Sequence, residues 1–397
     1  MTSTTTTAGP EGRTYLDHAS AAPWHPAALR AAEQVARELP GDPARAHREG
    51  RAAADLLESA RAAVAGELAA AAERVVFTSG GTEAVHLAVR GAALANRTRP
   101  ARILSTAVEH SAVLAAGDAT GLEHVRVAVD RDGRVDLDAL AACLREGATL
   151  VSVQHANHEV GTLQPLTEVA ALCRDADALL HVDACQTVGR LPVDIERLGA
   201  DFLTLSGAKF GGGRGVGALV CSPRARFRPL QTGDERERRR RAGLEHLPGI
   251  AALAEALLQL APHDPSGAAA ATAARCDSQR RRLRARLREA VDDLEVHGPE
   301  DGSAPHVVAL SALYVDGQAL LAALDDRGFA VHSGSSCAST SGEPSHVLVA
   351  MGALTHGHVR ASFGAQTPSA ALEAFPDAVA EAVGQLRARG TDLGSLA

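Results

Sequence analysis

Between about Arg74 and Cys221, short β-rich runs alternate with stretches whose apolar residues recur at helical spacing. The runs are RVVFTS, RILSTAV, VRVAV, LVSVQHAN, LLHVDA, DFLTLSGAK and GVGALVC, and segments such as Thr82 to Asn96 and Leu166 to Asp177 lie between them. Nearly continuous apolar runs are the pattern of strands covered on both faces. The alternation predicts an α/β fold whose large domain holds a mainly parallel seven-stranded sheet. Such sheets bind ligands beyond the carboxyl ends of their strands, so the residues after each run are the place to look for chemistry.

After Gln231 the pattern changes. The charged segment DERERRRRAG reads as a solvated loop. Helical stretches follow over roughly Gly249 to Leu260 and Gly267 to Val296, the second with many arginines on its expected outer face. From about Pro305 a smaller α+β pattern begins. It comprises VVALSAL, the helical GQALLAALDDRG, the loop SGSSCASTSGEPS, the strand-like HVRASFGA and a final helix from Pro368 to Arg389. The expected organisation is a disordered tail over 1–12, a large domain over 13–262 and a small domain over 263–397. The first twenty or so residues of the large domain are expected to pack on the small one.

Composition narrows the function. With 46% hydrophobic and 22% charged residues the 397-residue chain is of ordinary globular type, neither fibrous nor wholly disordered. A net charge of −8 gives no electrostatic reason to hold nucleic acid or an anionic bilayer, which leaves small molecules and proteins as partners. No apolar run approaches the roughly 20 residues of a membrane span, and the start MTSTTTTAGPEGR has no hydrophobic signal core, so a cytoplasmic location is expected. The six cysteines show no C-x-x-C spacing, and all but Cys337 are expected to be small buried hydrophobes. Lysine is nearly absent: of 40 basic Lys and Arg residues only Lys209 is a lysine. Arginine serves for surface charge, but it does not lose a proton near neutral pH and form an imine.

Three loops carry candidate chemistry. In TSGGTEAVHLAV, Gly80 and Gly81 allow close backbone approach, and Thr82 with the following helix amides suits a phosphate; a Gly-Gly turn that only caps a helix fits the same residues. In HVDACQ, Asp183 ends a strand with Gln186 three residues on. A desolvated Asp stays ionised opposite a positive charge such as a protonated pyridine nitrogen, and an N-cap is the alternative. LSGAKF puts Lys209 at the end of the next strand, three residues after Ser206. A phosphate loop, an acid for a ring nitrogen and one lysine for an aldehyde together describe a pyridoxal 5'-phosphate pocket.

These segments, with YLDHASAAP, GDPARAHREGR, AVEHSAVL, HANHEVGTLQP, RAGLEHLPGI, SGSSCASTSGEPSHVL and VRASFG, resemble the cysteine desulfurases of the fold-type I, class V aminotransferase group over almost the whole chain. The resemblance implies a homodimer that acts on L-cysteine, yields L-alanine and passes sulfur to a protein or small-molecule acceptor. It implies that Lys209 bonds the cofactor aldehyde, Asp183 pairs with the ring nitrogen, Gln186 bonds the ring hydroxyl and His110 stacks on the ring. His158 contacts the ring, Gly81, Thr82 and Ser206 hold the phosphate, and Arg360 grips the substrate carboxylate. Cys337 is the persulfide former. Its neighbours from Ser333 to Gly342 offer almost no apolar side chain to bury, so it is expected to be exposed and mobile.

Four positions depart from the family pattern: Ala208 stands for a His, His158 for an Asn, Leu244 for a Thr that touches a neighbouring subunit's phosphate, and His18 for an Asn. Each lost charge-assisted phosphate contact costs about 1.5 to 3 kcal/mol of cofactor binding. Altered substrate or acceptor choice is the inference from these changes. Two other readings use the same residues, a C–S β-lyase or aminotransferase in which Cys337 is dispensable, and a non-catalytic scaffold for a sulfur carrier.

Overall fold

The computed structural model describes residues 12–260, 267–334 and 344–394. After a two-residue strand, Thr14–Tyr15 (β1), the seven apolar runs form Val75–Thr78 (β2), Arg102–Thr106 (β3), Glu123–Val127 (β4), Leu150–Gln154 (β5), Leu179–Asp183 (β6), Phe202–Ser206 (β7) and Gly217–Cys221 (β8). They make one sheet in the order β2-β8-β7-β6-β5-β3-β4. β8 runs antiparallel to both β2 and β7, and the other pairings are parallel. Every residue of β5 to β8 is buried, as their uninterrupted apolar character requires. One face packs against helices Pro26–Glu38, Arg48–Gly66 and Leu247–Leu260 through a core that includes Leu57, Val64, Val153, Leu203 and Leu253. The other face carries Gly81–Ala95 and Ser111–Asp118, with Val85, Leu87, Val113 and Phe202 between them.

The smaller unit is an antiparallel sheet of Leu294–Val296 (β9), Val307–Ala312 (β10) and His358–Ser362 (β12), in the order β12-β10-β9. Helices Ala268–Ala290 and Ser369–Gly394 back it, with Leu283, Leu287, Phe375 and Val379 in the core. The helix expected to reach Val296 stops at Ala290. Val291 turns extended, Asp293 takes a positive φ of 53°, and Leu294–Val296 joins β10 as a strand. β1 pairs in parallel with Phe329–Ala330 (β11), and Leu16 enters the core of the smaller unit. The chain's first described residues are thus tied to its carboxyl-terminal third.

The segment DERERRRRAG is not simply a solvated loop. Glu237, Arg238 and Arg239 take left-handed conformations with φ of 47°, 55° and 64°, which turns the Glu237 side chain inward to 1% exposure. There its carboxylate accepts from Arg61 Nη1 at 2.7 Å, Arg61 Nη2 at 2.9 Å and the Phe77 amide at 2.9 Å. An ion pair to the helix Arg48–Gly66 and a bond to the Phe77 amide of β2, neither visible in a local charge count, anchor the segment.

Candidate active site

β2 runs into a loop that only glycine can complete. Gly80 sits at φ 154°, ψ −178°, a region closed to residues with a Cβ. A Cβ on Gly81 would lie 2.7 Å from Cys185 Sγ and 3.3 Å from Ser206 Cβ, so the loop lies directly on the ends of β6 and β7. The helix Gly81–Ala95 begins with no side-chain cap, and its first amides have no partner within the helix. Glu83 accepts from the Ser79 amide of the loop at 2.6 Å and from Arg241 at 2.9 Å, so its charge is met by a cation.

Asp183 ends β6, where its Oδ1 accepts from the Cys185 amide at 3.0 Å and from Thr204 Oγ1 at 3.3 Å. Gln186 donates to the Ala19 carbonyl at 3.0 Å and faces His306 Nε2 at 3.3 Å. β7 passes through a single turn to Lys209, whose Nζ donates to the carbonyls of Ala19 at 2.9 Å and Ser20 at 2.8 Å. Burial lowers the pKa of this amine from its ordinary value, with Cys185 opposing the shift. After β3, His110 caps the next helix by accepting from the Ala112 amide at 3.1 Å, and its ring meets that of His158 edge-on at 5.1 Å. Burial depresses the pKa of His110 and pushes that of His158 well down, so both rings are neutral near pH 7.

Every residue assigned to the cofactor in the sequence lines one cavity of about 280 Å³, and Ala208 lines it too. Arg360, on β12, is not among the lining residues. It donates to the His158 carbonyl at 2.8 Å, Asp17 Oδ1 at 2.7 Å and Ser20 Oγ at 2.7 Å, and its Nε is buried without an acceptor. Cys337 lies outside the described residues, as do residues 1–11 of the expected tail. Leu244 is 64% exposed, and His18 is buried, its pKa lowered to about 3 by desolvation and by Arg190. No cluster of three or more metal-ligating side chains occurs among the described residues.

Two contributors escaped the sequence reading. The segment Asp17–Ser20 supplies a carboxylate to Arg360 and two carbonyls to Lys209, and a backbone carbonyl has no signature in sequence. Cys185, expected to be a core hydrophobe, lines the cavity beneath Gly81; burial and Asp183 push its thiol pKa well up. Its place directly between Asp183 and Gln186 was the available signal.

The model of the aminotransferase class-V family matches residues 14–375. The chain is 34% identical to the cysteine desulfurase IscS of Dictyoglomus turgidum over 380 residues, covering 94% of this chain and 95% of that protein. It is 38% identical to a cysteine desulfurase of Cereibacter sphaeroides over 388 residues, covering 95% of this chain and 97% of that one. Among solved structures, a NifS-like protein matches at a TM-score of 0.86 with 29% identity, covering 94% of this chain and 100% of the other. The chain belongs to the cysteine desulfurase family of class-V aminotransferases.

Proposed function

We propose that the protein takes the sulfur of L-cysteine, releases L-alanine and carries the sulfur on Cys337 to an acceptor. The observation that supports this most is the convergence of residues from the ends of β2, β3, β5, β6 and β7 on one cavity, with the chain's single lysine among them. Pyridoxal 5'-phosphate fits that donor set. The uncapped helix amides with Thr82 and Ser206 suit its phosphate, the Gly81 backbone lies against Cys185 and Ser206 with no room for a Cβ, and Asp183 suits a protonated ring nitrogen. When bound, the cofactor supplies an aldehyde for the substrate amine and an electron sink for the carbon beside it.

The chain's own groups do the rest. Lys209 Nζ, with its lowered pKa, takes and returns the proton of the substrate Cα. Arg360 Nε, a buried donor without an acceptor, is a place for the substrate carboxylate. The Cys337 sulfur bonds to the substrate sulfur as the substrate carbon–sulfur bond breaks. That bond pair goes to the substrate carbon, which is protonated and leaves as alanine, so no outside oxidant or reductant is needed. The reading includes a protein or small-molecule thiol acceptor, a homodimer and a cytoplasmic location; no helix among the described residues is long and apolar enough to cross a membrane.

The test is product analysis with L-cysteine, with and without a thiol acceptor. Alanine, a persulfide on Cys337 detected by intact-mass spectrometry, and loss of both in Cys337→Ala are the expected results. Pyruvate and ammonia from a fully active Cys337→Ala would replace this reading with a β-lyase. The yellow colour of the holoenzyme should disappear in Lys209→Ala.

A further inference from the structure

Glu159 has no part in the chemistry above, yet it is fully buried beside the site. Its Oε2 accepts from Ser345 Oγ at 2.5 Å, while its Oε1 has no hydrogen-bond partner and faces His158 Nε2 at 3.6 Å. Burial raises its pKa to about 7, with Ser345 and Arg360 opposing. An acid kept in such a place with one partner is costly. The turn that presents it is fixed by Asn157 Oδ1, which accepts from the Glu159 and Val160 amides at 2.8 and 2.9 Å.

What Glu159 touches are the two ends of one segment. On one side is Gly334, held by its amide donating to His332 Nδ1 at 2.9 Å. A Cβ there would lie 3.2 Å from Glu159 Cγ and 3.4 Å from its Cβ, so the Gly334 backbone rests on the glutamate stem. On the other side is Ser345, whose Oγ also accepts from the Val347 and Leu348 amides and so caps the helix His346–Met351. The next residue, His346, places Nε2 2.9 Å from the Glu109 carbonyl. The chain that carries Cys337 therefore leaves from and returns to the same glutamate side chain.

We infer that Glu159 is a positioning residue for Cys337, a carboxyl group of the large unit that fixes both roots of the segment bearing the sulfur carrier. The inference rests on the reading of Cys337 as that carrier. It differs from a packing role in what it controls. The contacts proposed above for cofactor and substrate come from other side chains, whereas the approach of the Cys337 sulfur depends on where the roots are held, and small displacements of a reacting group are costly.

The experiment uses the holoenzyme and follows persulfide on Cys337 by rapid quench and mass spectrometry. In Glu159→Ala the cofactor absorbance and the KM for L-cysteine should stay within about twofold of wild type while persulfide formation slows about 10- to 100-fold. Glu159→Gln, which keeps an acceptor for Ser345, should restore most of the rate. Equal persulfide rates in wild type and Glu159→Ala overturn the inference, and so does a rise in KM that accounts for the loss. A Gln variant as slow as the Ala variant also overturns it, because the loss would then follow charge and not the bond to Ser345. If Glu159→Ala does not fold, Ser345→Ala removes the same bond from the loop side, and a wild-type rate there is equally fatal. Full activity in Cys337→Ala is a separate result, which sinks the functional reading itself.

Discussion

The Arg61–Glu237 pair makes a quantitative prediction that joins stability to the cofactor loop. Glu237→Leu leaves Arg61, whose side chain is 2% exposed, without its bidentate partner and leaves the Phe77 amide without an acceptor. Breaking a buried pair from one side costs about 3 to 5 kcal/mol. Arg61 keeps Glu58 at 3.2 Å and the Val75 carbonyl at 2.8 Å, which puts this case near the lower figure, about 3 kcal/mol. The double variant Arg61→Met with Glu237→Leu removes the stranded charge and should be the more stable of the two, although the Phe77 amide stays unpaired. Urea unfolding followed by fluorescence of Trp24, the single tryptophan, reads the core into which the pair is built. Phe77 precedes the glycine loop by only two residues, so Glu237→Leu should also release pyridoxal phosphate more readily on dialysis. A single variant within 1 kcal/mol of wild type, or a double variant less stable than the single, refutes the reasoning.

Gly81→Ala puts a methyl group 2.7 Å from Cys185 Sγ and should lower cofactor affinity in an absorbance titration; adding Cys185→Ala should recover part of it, and no recovery would mean the contact with Cys185 is irrelevant. Glu109 is fully buried, and desolvation raises its pKa from 4.5 to about 8, with Thr106 and the Gln154 amide opposing. The folded protein then holds a proton that the unfolded chain releases above about pH 4.5, so this contribution is complete below that pH and is lost as pH rises through 8. Glu109→Gln should therefore gain on wild type in denaturant midpoint between pH 5 and pH 9, and parallel profiles would refute it. The opposite trend is expected in acid: burial lowers His155 and His181 to about 4 and His358 to about 3, so the folded rings stay neutral where unfolded ones are charged. Each should remove about 1.4 kcal/mol of stability per pH unit as pH falls below 6.5 toward those values, and a flat urea midpoint from pH 7 to pH 5 would contradict this.

The large sheet was legible because its strands are buried on both faces and therefore announce themselves as apolar runs; all seven appear at the expected places. Side chains at strand ends were legible for a related reason, since Asp183 and Lys209 are polar exceptions to buried surroundings. What could not be read were partnerships between distant segments. Glu237 looked like part of a solvated charge run because its partner Arg61 lies 176 positions away. The strand Leu294–Val296 passed for the end of a helix because its apolar spacing is too short to separate the two periods, and pairing with β10 decides it. The hold of Ala19 and Ser20 on Lys209 comes from main-chain oxygens, which any residue type supplies.

β1 has a consequence for biosynthesis. Its pairing partner, Phe329–Ala330, is made some three hundred residues later, while all seven strands of the large sheet are complete by Cys221. Domains form as they leave the ribosome, amino-terminal parts first. A nascent chain can therefore close its main sheet with Lys209 in place and Gln186 beside it, both partners of Ala19, yet β1 has no strand to pair with until the last third emerges. The carboxyl-terminal third then fastens the same segment from its other side, through β11 against Thr14–Tyr15 and Arg360 on Asp17 and Ser20.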